Sequence, residues 1–114
     1  MGAFQATAVA SLLGDKATKL TISIPWMCDA GAETKGRIGG WRPSYCEDLR
    51  YYDTVNLAKR VKASVDITAG LGDYICPPSG VTALFHEIKA DKTLTFIQNK
   101  THGYTPVELI SYKK

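Results

Sequence analysis

Asp73 and His102 are the two residues of this sequence whose types and placement could do chemistry together. Asp73 lies in Gly70-Leu71-Gly72-Asp73-Tyr74, just past the alternating run Val65, Ile67, Ala69. His102 lies in Asn99-Lys100-Thr101-His102-Gly103, just past Leu94, Phe96 and Ile97. Each therefore follows a predicted strand, at the end where open sheets with parallel strands place their chemistry. A carboxylate bonded to one imidazole nitrogen fixes the tautomer and stabilises the cation formed when the other nitrogen takes a proton. That is two thirds of a nucleophilic triad. Taken alone, each residue also has a plain reading. A loop Asp is a common turn-former, and a loop Asp and a loop His occur together by chance in many domains.

The third member is harder to place. Ser11, Ser23, Ser44, Ser64, Ser79 and Ser111 all lack the Gly-x-Ser-x-Gly setting of a strained nucleophile turn. Ser79 follows Pro77-Pro78 and is expected to cap a helix, because the prolines disfavour helix ahead of it. Cys76 stands three positions after Asp73, but no basic group is evidently placed to activate it, so a buried structural cysteine is expected.

The elements that must position the pair follow from periodicity. Met1 to Gly14 reads as a helix of small residues, with Phe4, Ala8 and Leu12, and Val9 and Leu13, at helical spacing and Gly14 as C-cap. Lys19 to Trp26 reads as a first strand, alternating Leu20, Ile22 and Ile24 with Thr21 and Ser23. Ala30 to Leu49 is a glycine-rich loop long enough to be functional, and Trp41 and Tyr45 suit it to a flap or contact surface. A short helix opens near Tyr51, with Asp53 as N-cap and Tyr51, Tyr52, Val55, Ala58 and Val61 as its buried side. Ser79 to Ala90 is a helix with Val81, Leu84, Phe85 and Ile88 on one face and His86 on the other, solvated side. Thr93 to Gln98 is a third strand, and Thr105-Pro106-Val107-Glu108 starts a last helix with a capping box. Strands separated by single helices give an α/β fold: a three-stranded parallel sheet with flanking helices and right-handed crossovers. One edge of such a sheet looks unfinished.

A chain of 114 residues is one domain or part of one. Its 45% hydrophobic and 22% charged residues are ordinary for a globular chain, and the net charge of +3 is small. The one basic cluster, Lys59-Arg60-Val61-Lys62, suits a solvated helix end, so no nucleic-acid partner is expected. No apolar run approaches the ~20 residues of a membrane span, and no membrane partner is expected. Cys28, Cys46 and Cys76 form no CxxC pair or zinc spacing, so no metal or other cofactor is expected. Their odd number fits a reducing compartment, and the absence of a basic segment followed by an apolar core gives no signal peptide, so a cytoplasmic location is expected.

Three segments carry a family resemblance. Tyr51 to Arg60, the run Ala69-Gly70-Leu71-Gly72-Asp73-Tyr74-Ile75-Cys76-Pro77-Pro78-Ser79-Gly80, and Thr101-His102-Gly103 resemble the acetyl xylan esterase / cephalosporin C deacetylase family of α/β-hydrolases. The resemblance covers most of the chain. It implies that residues 1–114 are the C-terminal portion of an α/β-hydrolase domain, with Asp73 as triad acid and His102 as triad base. It implies removal of acetyl groups from sugars or related esters by Ser, His and Asp. In that family the nucleophile elbow opens a helix of small residues. Met1-Gly2-Ala3-Phe4 looks like that helix start, with Gly2 as the elbow's last glycine. The serine would be the residue immediately before Met1, and the Met1 backbone nitrogen would help hold the oxyanion, although a free N-terminus carries an ammonium there. Trp41 and Tyr74 become candidates for lining the substrate pocket, while Trp26 is expected in the core.

Two functions from different classes follow. One is the C-terminal fragment of a carboxylic ester hydrolase, inactive alone because the serine is absent, whose full-length form takes an acetylated carbohydrate or small ester. The other is a non-catalytic remnant that folds by homo-oligomerising across its exposed first strand and first helix. A serine peptidase of the same fold, which shares the Asp-then-His order, is a third reading.

Overall fold

Leu20 pairs with Val65, and Ile22, Ile67 and Leu94 fall in register across three parallel strands, so one apolar row organises the sheet. The computed structural model describes residues 1–114. It contains α1 (Gly2–Leu13), β1 (Lys19–Ser23), α2 (Thr54–Ala58), β2 (Ser64–Gly70), α3 (Pro78–Glu87), β3 (Lys92–Ile97) and β4 (Ser111–Lys113). The sheet order is β1-β2-β3-β4. The first three strands are parallel, as their intervening helices require, and β1 and β4 are the edge strands.

Crossovers of one hand, stepping in one direction, put α2 and α3 on the same face of the sheet. Ala58, Val61, Val81, Leu84, Phe85 and Ile88 pack there against Ile22, Val65, Ile67 and Leu94 in a single apolar cluster. The opposite face is polar. Asp66 on that face pairs with Lys19 at 3.0 Å and accepts from the Thr93 hydroxyl at 2.5 Å.

Helix α1 uses its small residues to reach the core. Thr7, Ala10 and Ser11 are buried, while Val9, Leu12 and Leu13 point outward and are exposed. The two buried hydroxyls donate back to the Ala3 and Ala8 carbonyls, which removes the cost of burying them. Of the large residues whose spacing marked the helix, Val9, Leu12 and Leu13 form its outer face, while Phe4 is half-buried beside Trp26.

Four expectations are corrected. Tyr51 and Tyr52 are exposed, because α2 starts only at Thr54 and they lie ahead of it on a 3-10 turn and its end. Ser79 is not the cap of α3. The helix starts at Pro78, where the missing N–H has no partner to lose, and Pro77 is its N-cap. The helix expected from Thr105 does not form; Thr105 to Ile110 is irregular, and Ser111–Lys113 forms β4 instead. The three-stranded sheet therefore gains a fourth, antiparallel strand, with Thr95 opposite Lys113, Phe96 opposite Tyr112 and Ile97 opposite Ser111. A capping box satisfies only a helix start, and a short helix needs an apolar face to bury. The free edge of β3 offers a hydrogen-bond ladder instead.

Asp53 is the cap of α2 and also a tether. Its carboxylate accepts from Val55 N at 2.9 Å, and from Asp29 N at 3.0 Å and Ala30 N at 2.7 Å in the loop after β1. Asp53→Ala leaves three backbone donors unpaired at a buried site. It should lower unfolding stability by about 3 kcal/mol, read from the midpoint of urea denaturation. A change below about 0.5 kcal/mol, the level of an ordinary surface substitution, would contradict this tether.

Candidate active site

Adjacent parallel strands bring their carboxyl-end loops side by side, and this places Asp73 beside His102. His102 Nδ1 lies 3.2 Å from Asp73 Oδ2. The Asp73 side chain is fully buried and the His102 side chain is 42% exposed, so the imidazole presents its other edge to solvent. Asp73 Oδ1 is held separately, accepting from Ile75 N at 2.9 Å and Cys76 N at 2.8 Å. The turn that follows β2 therefore fixes one carboxylate oxygen and leaves the other for the imidazole.

The two loops are locked to each other through the backbone. Leu71 N donates to the Ile97 carbonyl and Gly72 N to the Lys100 carbonyl, each at 3.0 Å. Gly70 has no room for a side chain, since a Cβ there would run into the Lys100 carbonyl. Asn99 takes a left-handed φ of 58°, and Thr101 N closes onto the Tyr104 carbonyl at 3.0 Å, which turns the chain back at His102.

The long loop after β1 docks on the same region. Trp41 N donates to the Ile75 carbonyl at 3.1 Å, and Gly40, at φ 71°, passes so close to Ile75 and Pro77 that only glycine fits. Trp41 stacks on Trp26 at 5.6 Å between centroids, and the Trp26 indole donates to the Trp41 carbonyl at 2.8 Å. Trp26 is half-buried, while Trp41 and Tyr74 are exposed. Trp41 lines a crevice with Trp26, Arg42 and Cys76 of about 10 Å³, room for one water. Tyr74 does not line it. A larger polar groove of about 570 Å³, walled by Lys35, Arg37, Tyr45 and His86 among others, holds none of Asp73, Cys76 or His102.

Cys76 belongs to the same cluster. One donor atom each from Asp73, Cys76 and His102 lie within 4.8 Å of one another. Burial pushes the Cys76 thiol up to about 11, the Asp73 charge pushes the same way, and the Met1 ammonium and Arg42 pull it down. Met1 itself is exposed. None of the six serines bonds His102: Ser11 and Ser64 donate to backbone carbonyls, and Asp73 is the imidazole's side-chain partner. Arg42 escaped the sequence reading. Its guanidinium donates to the Asp29 carbonyl and, at 3.4 Å, to the Cys28 carbonyl, tying the loop after β1 to the crevice.

Burial also raises the Cys28 thiol strongly, whereas Cys46 is exposed. Both buried thiols stay protonated in the folded state where the unfolded chain would ionise. Their stabilising effect is complete below an unfolded thiol pKa of about 8.5 and fades as pH rises through the folded values. At pH 8 a thiol reagent should react quickly with Cys46 alone and with Cys28 and Cys76 only after denaturation. Fast reaction of Cys76 in the folded chain would contradict its protected setting.

The chain is similar to known proteins. The family model described as acetyl xylan esterase (AXE1) matches residues 43–112, which include Asp73, Cys76 and His102. Acetyl esterase Axe7A of Xylanibacter ruminicola is 29% identical over 90 residues, covering 70% of this chain and 20% of that protein. Acetyl xylan esterase 1 from Thermoanaerobacterium sp. JW/SL YS485 superposes with a TM-score of 0.73 at 25% identity, over 93% of this chain and 39% of that one. An acetyl xylan esterase from Paenibacillus sp. R4 superposes with a TM-score of 0.75 at 22% identity, over 92% of this chain and 38% of that one. The chain thus spans a fifth of the curated relative's length and under two fifths of either solved structure. Its sheet and flanking helices are part of an α/β-hydrolase fold. With more than half of its residues matched by the family model, the chain belongs to the acetyl xylan esterase (AXE1) family.

Proposed function

We propose that this chain supplies the base and the orienting carboxylate of a serine-type deacetylase acting on acetylated carbohydrate or a related small ester. The observation that carries the reading is the 3.2 Å contact between His102 Nδ1 and a carboxylate whose other oxygen is already fixed by two backbone N–H groups. That arrangement leaves Nε2 free to take a proton from a serine hydroxyl. The serine oxygen would attack the acetyl carbonyl, and His102 would return the proton to the departing sugar oxygen. Water would then repeat the cycle in reverse and release acetate. Asp73 accepts the Nδ1 hydrogen bond and stabilises the imidazolium.

The serine in this reading lies directly ahead of Met1, whose backbone nitrogen is one oxyanion donor. Trp41 and Tyr74 are proposed to contact substrate, and the exposure of Trp41 beside the crevice supports its part. By itself the chain is inert in this proposal. It should release no p-nitrophenol from p-nitrophenyl acetate above the rate of its His102→Ala variant; turnover abolished by that substitution would overturn the inertness. Joined behind the N-terminal part of the Thermoanaerobacterium enzyme, up to and including a nucleophile serine, it should release acetate from acetylated xylan. Asp73→Asn should then lower kcat by about 10⁴-fold. A folded hybrid whose activity ignores Asp73 and His102 would contradict the reading.

A second proposal concerns self-association. β1 is an unpaired edge, and Val9, Leu12 and Leu13 on α1 are exposed. Sedimentation at micromolar concentration should show a dimer or larger species, and replacing Leu12 and Leu13 by Lys should return the monomer. A monomer before any substitution would contradict it.

A further inference from the structure

Cys76 has no part in the proposed chemistry, yet its sulfur sits with Asp73 and His102 in a group whose donor atoms lie within 4.8 Å of one another. A tetrahedral zinc ion with bonds of about 2.0–2.3 Å sets its ligand atoms about 3.3–3.8 Å apart. The Asp73–His102 separation of 3.2 Å falls just short of that spacing, within about 0.1 Å. From within 4.8 Å, the sulfur needs to close by about 1.5 Å at most to meet the same requirement.

Three features of the local backbone favour such an ion. Asp73 and Cys76 stand three positions apart on one turn, the spacing of paired ligands in zinc-binding loops. Cys76 N donates to Asp73 Oδ1 at 2.8 Å, so the two ligand-bearing residues are fixed relative to each other before any ion arrives. The same bond, with that from Ile75 N, occupies Oδ1 and leaves Oδ2 to ligate singly, with the outer hydrogen bonds that metal-bound carboxylates carry. His102 approaches from an irregular loop and is exposed, so it can adjust. A thiolate, an imidazole and a carboxylate together select zinc-like ions over calcium or magnesium, and three protein ligands leave a fourth position open.

We propose that Asp73, Cys76 and His102 form a binding site for a thiophilic divalent cation, with Zn²⁺ as the ion of best fit. On binding, the thiol proton leaves to solvent, the imidazole carries its proton on Nε2, and Sγ, Nδ1 and Oδ2 each donate a lone pair to the cation. The ion replaces the hydrogen bond between His102 and Asp73. Resting on the deacetylase reading, this would make the cation a reversible inhibitor. The binding itself does not depend on that reading, because its test needs neither a serine nor a substrate.

The test is titration of the full chain with Co²⁺ under reducing conditions, followed by absorption. A thiolate-to-cobalt charge-transfer band should saturate at about one equivalent and be bleached by added Zn²⁺. Cys76→Ser should abolish the band. His102→Ala, a change at an exposed residue that preserves the fold, should weaken binding by at least about tenfold. Absence of the band, its survival in Cys76→Ser, indifference to His102→Ala, or its loss in Cys46→Ser would each overturn the site.

Discussion

The Asp73 carboxylate is the constraint from which the rest of the site follows. A buried charge is tolerated only where its oxygens are satisfied, and here each oxygen has a distinct partner. Oδ1 takes two backbone N–H groups from its own turn, and Oδ2 faces an imidazole from the next strand's loop. The first pair of bonds is local and comes from the sequence of the turn. The second is tertiary and exists only because β2 and β3 are neighbours. The carboxylate thus converts a sheet register into the position of a side chain. Take away its backbone donors and the carboxylate would be free to rotate, and His102 would lose the one side chain that orients it.

The surrounding structure serves to keep that register. Gly70 admits the Lys100 carbonyl where any side chain would exclude it, so the two strand ends close to hydrogen-bonding distance. Gly40 brings the long loop against Ile75 and Pro77 in the same way. Asp53, a second buried carboxylate, fixes the segment after β1 by accepting three backbone donors. Two buried acids therefore carry opposite assignments. One has its oxygens filled by main chain and is structural, while the other keeps an oxygen facing a titratable side chain at the surface.

How much of this was legible depended on whether the determining forces were local. The alternation in β1 and β2 and the spacing of Val81, Leu84, Phe85 and Ile88 were readable, because burial of one face is written directly into such patterns. Asp53 was readable as a cap, but not as a tether to Asp29 and Ala30, which lie more than twenty positions away. The segment from Thr105 misled. Its capping box is a real local signal, and it lost to the unpaired edge of β3, which no local pattern reveals. The small-residue character of α1 was readable, but which of its residues turn inward was not. Large apolar residues normally mark the buried side, but close packing against the sheet here selected Thr7, Ala10 and Ser11. Strand order allowed the proximity of Asp73 and His102 and the family resemblance singled it out, whereas the convergence of Cys76 with them needed the shape of the turn.

The same sheet is finished on one side and open on another. Its polar face is knit by Lys19, Asp66 and Thr93, while the outer edge of β1 and the outer side of α1 remain without partners. The site stands at the carboxyl edge, tied to the finished part of the molecule, and does not need the open edge to hold its geometry. The most direct test of that statement is nitrogen NMR of the His102 ring in the isolated chain, in its neutral form. If Asp73 orients the imidazole, the proton resides on Nδ1, and Asp73→Ala shifts it toward Nε2. A wild-type ring protonated on Nε2, or one whose tautomer ignores the substitution, would contradict it.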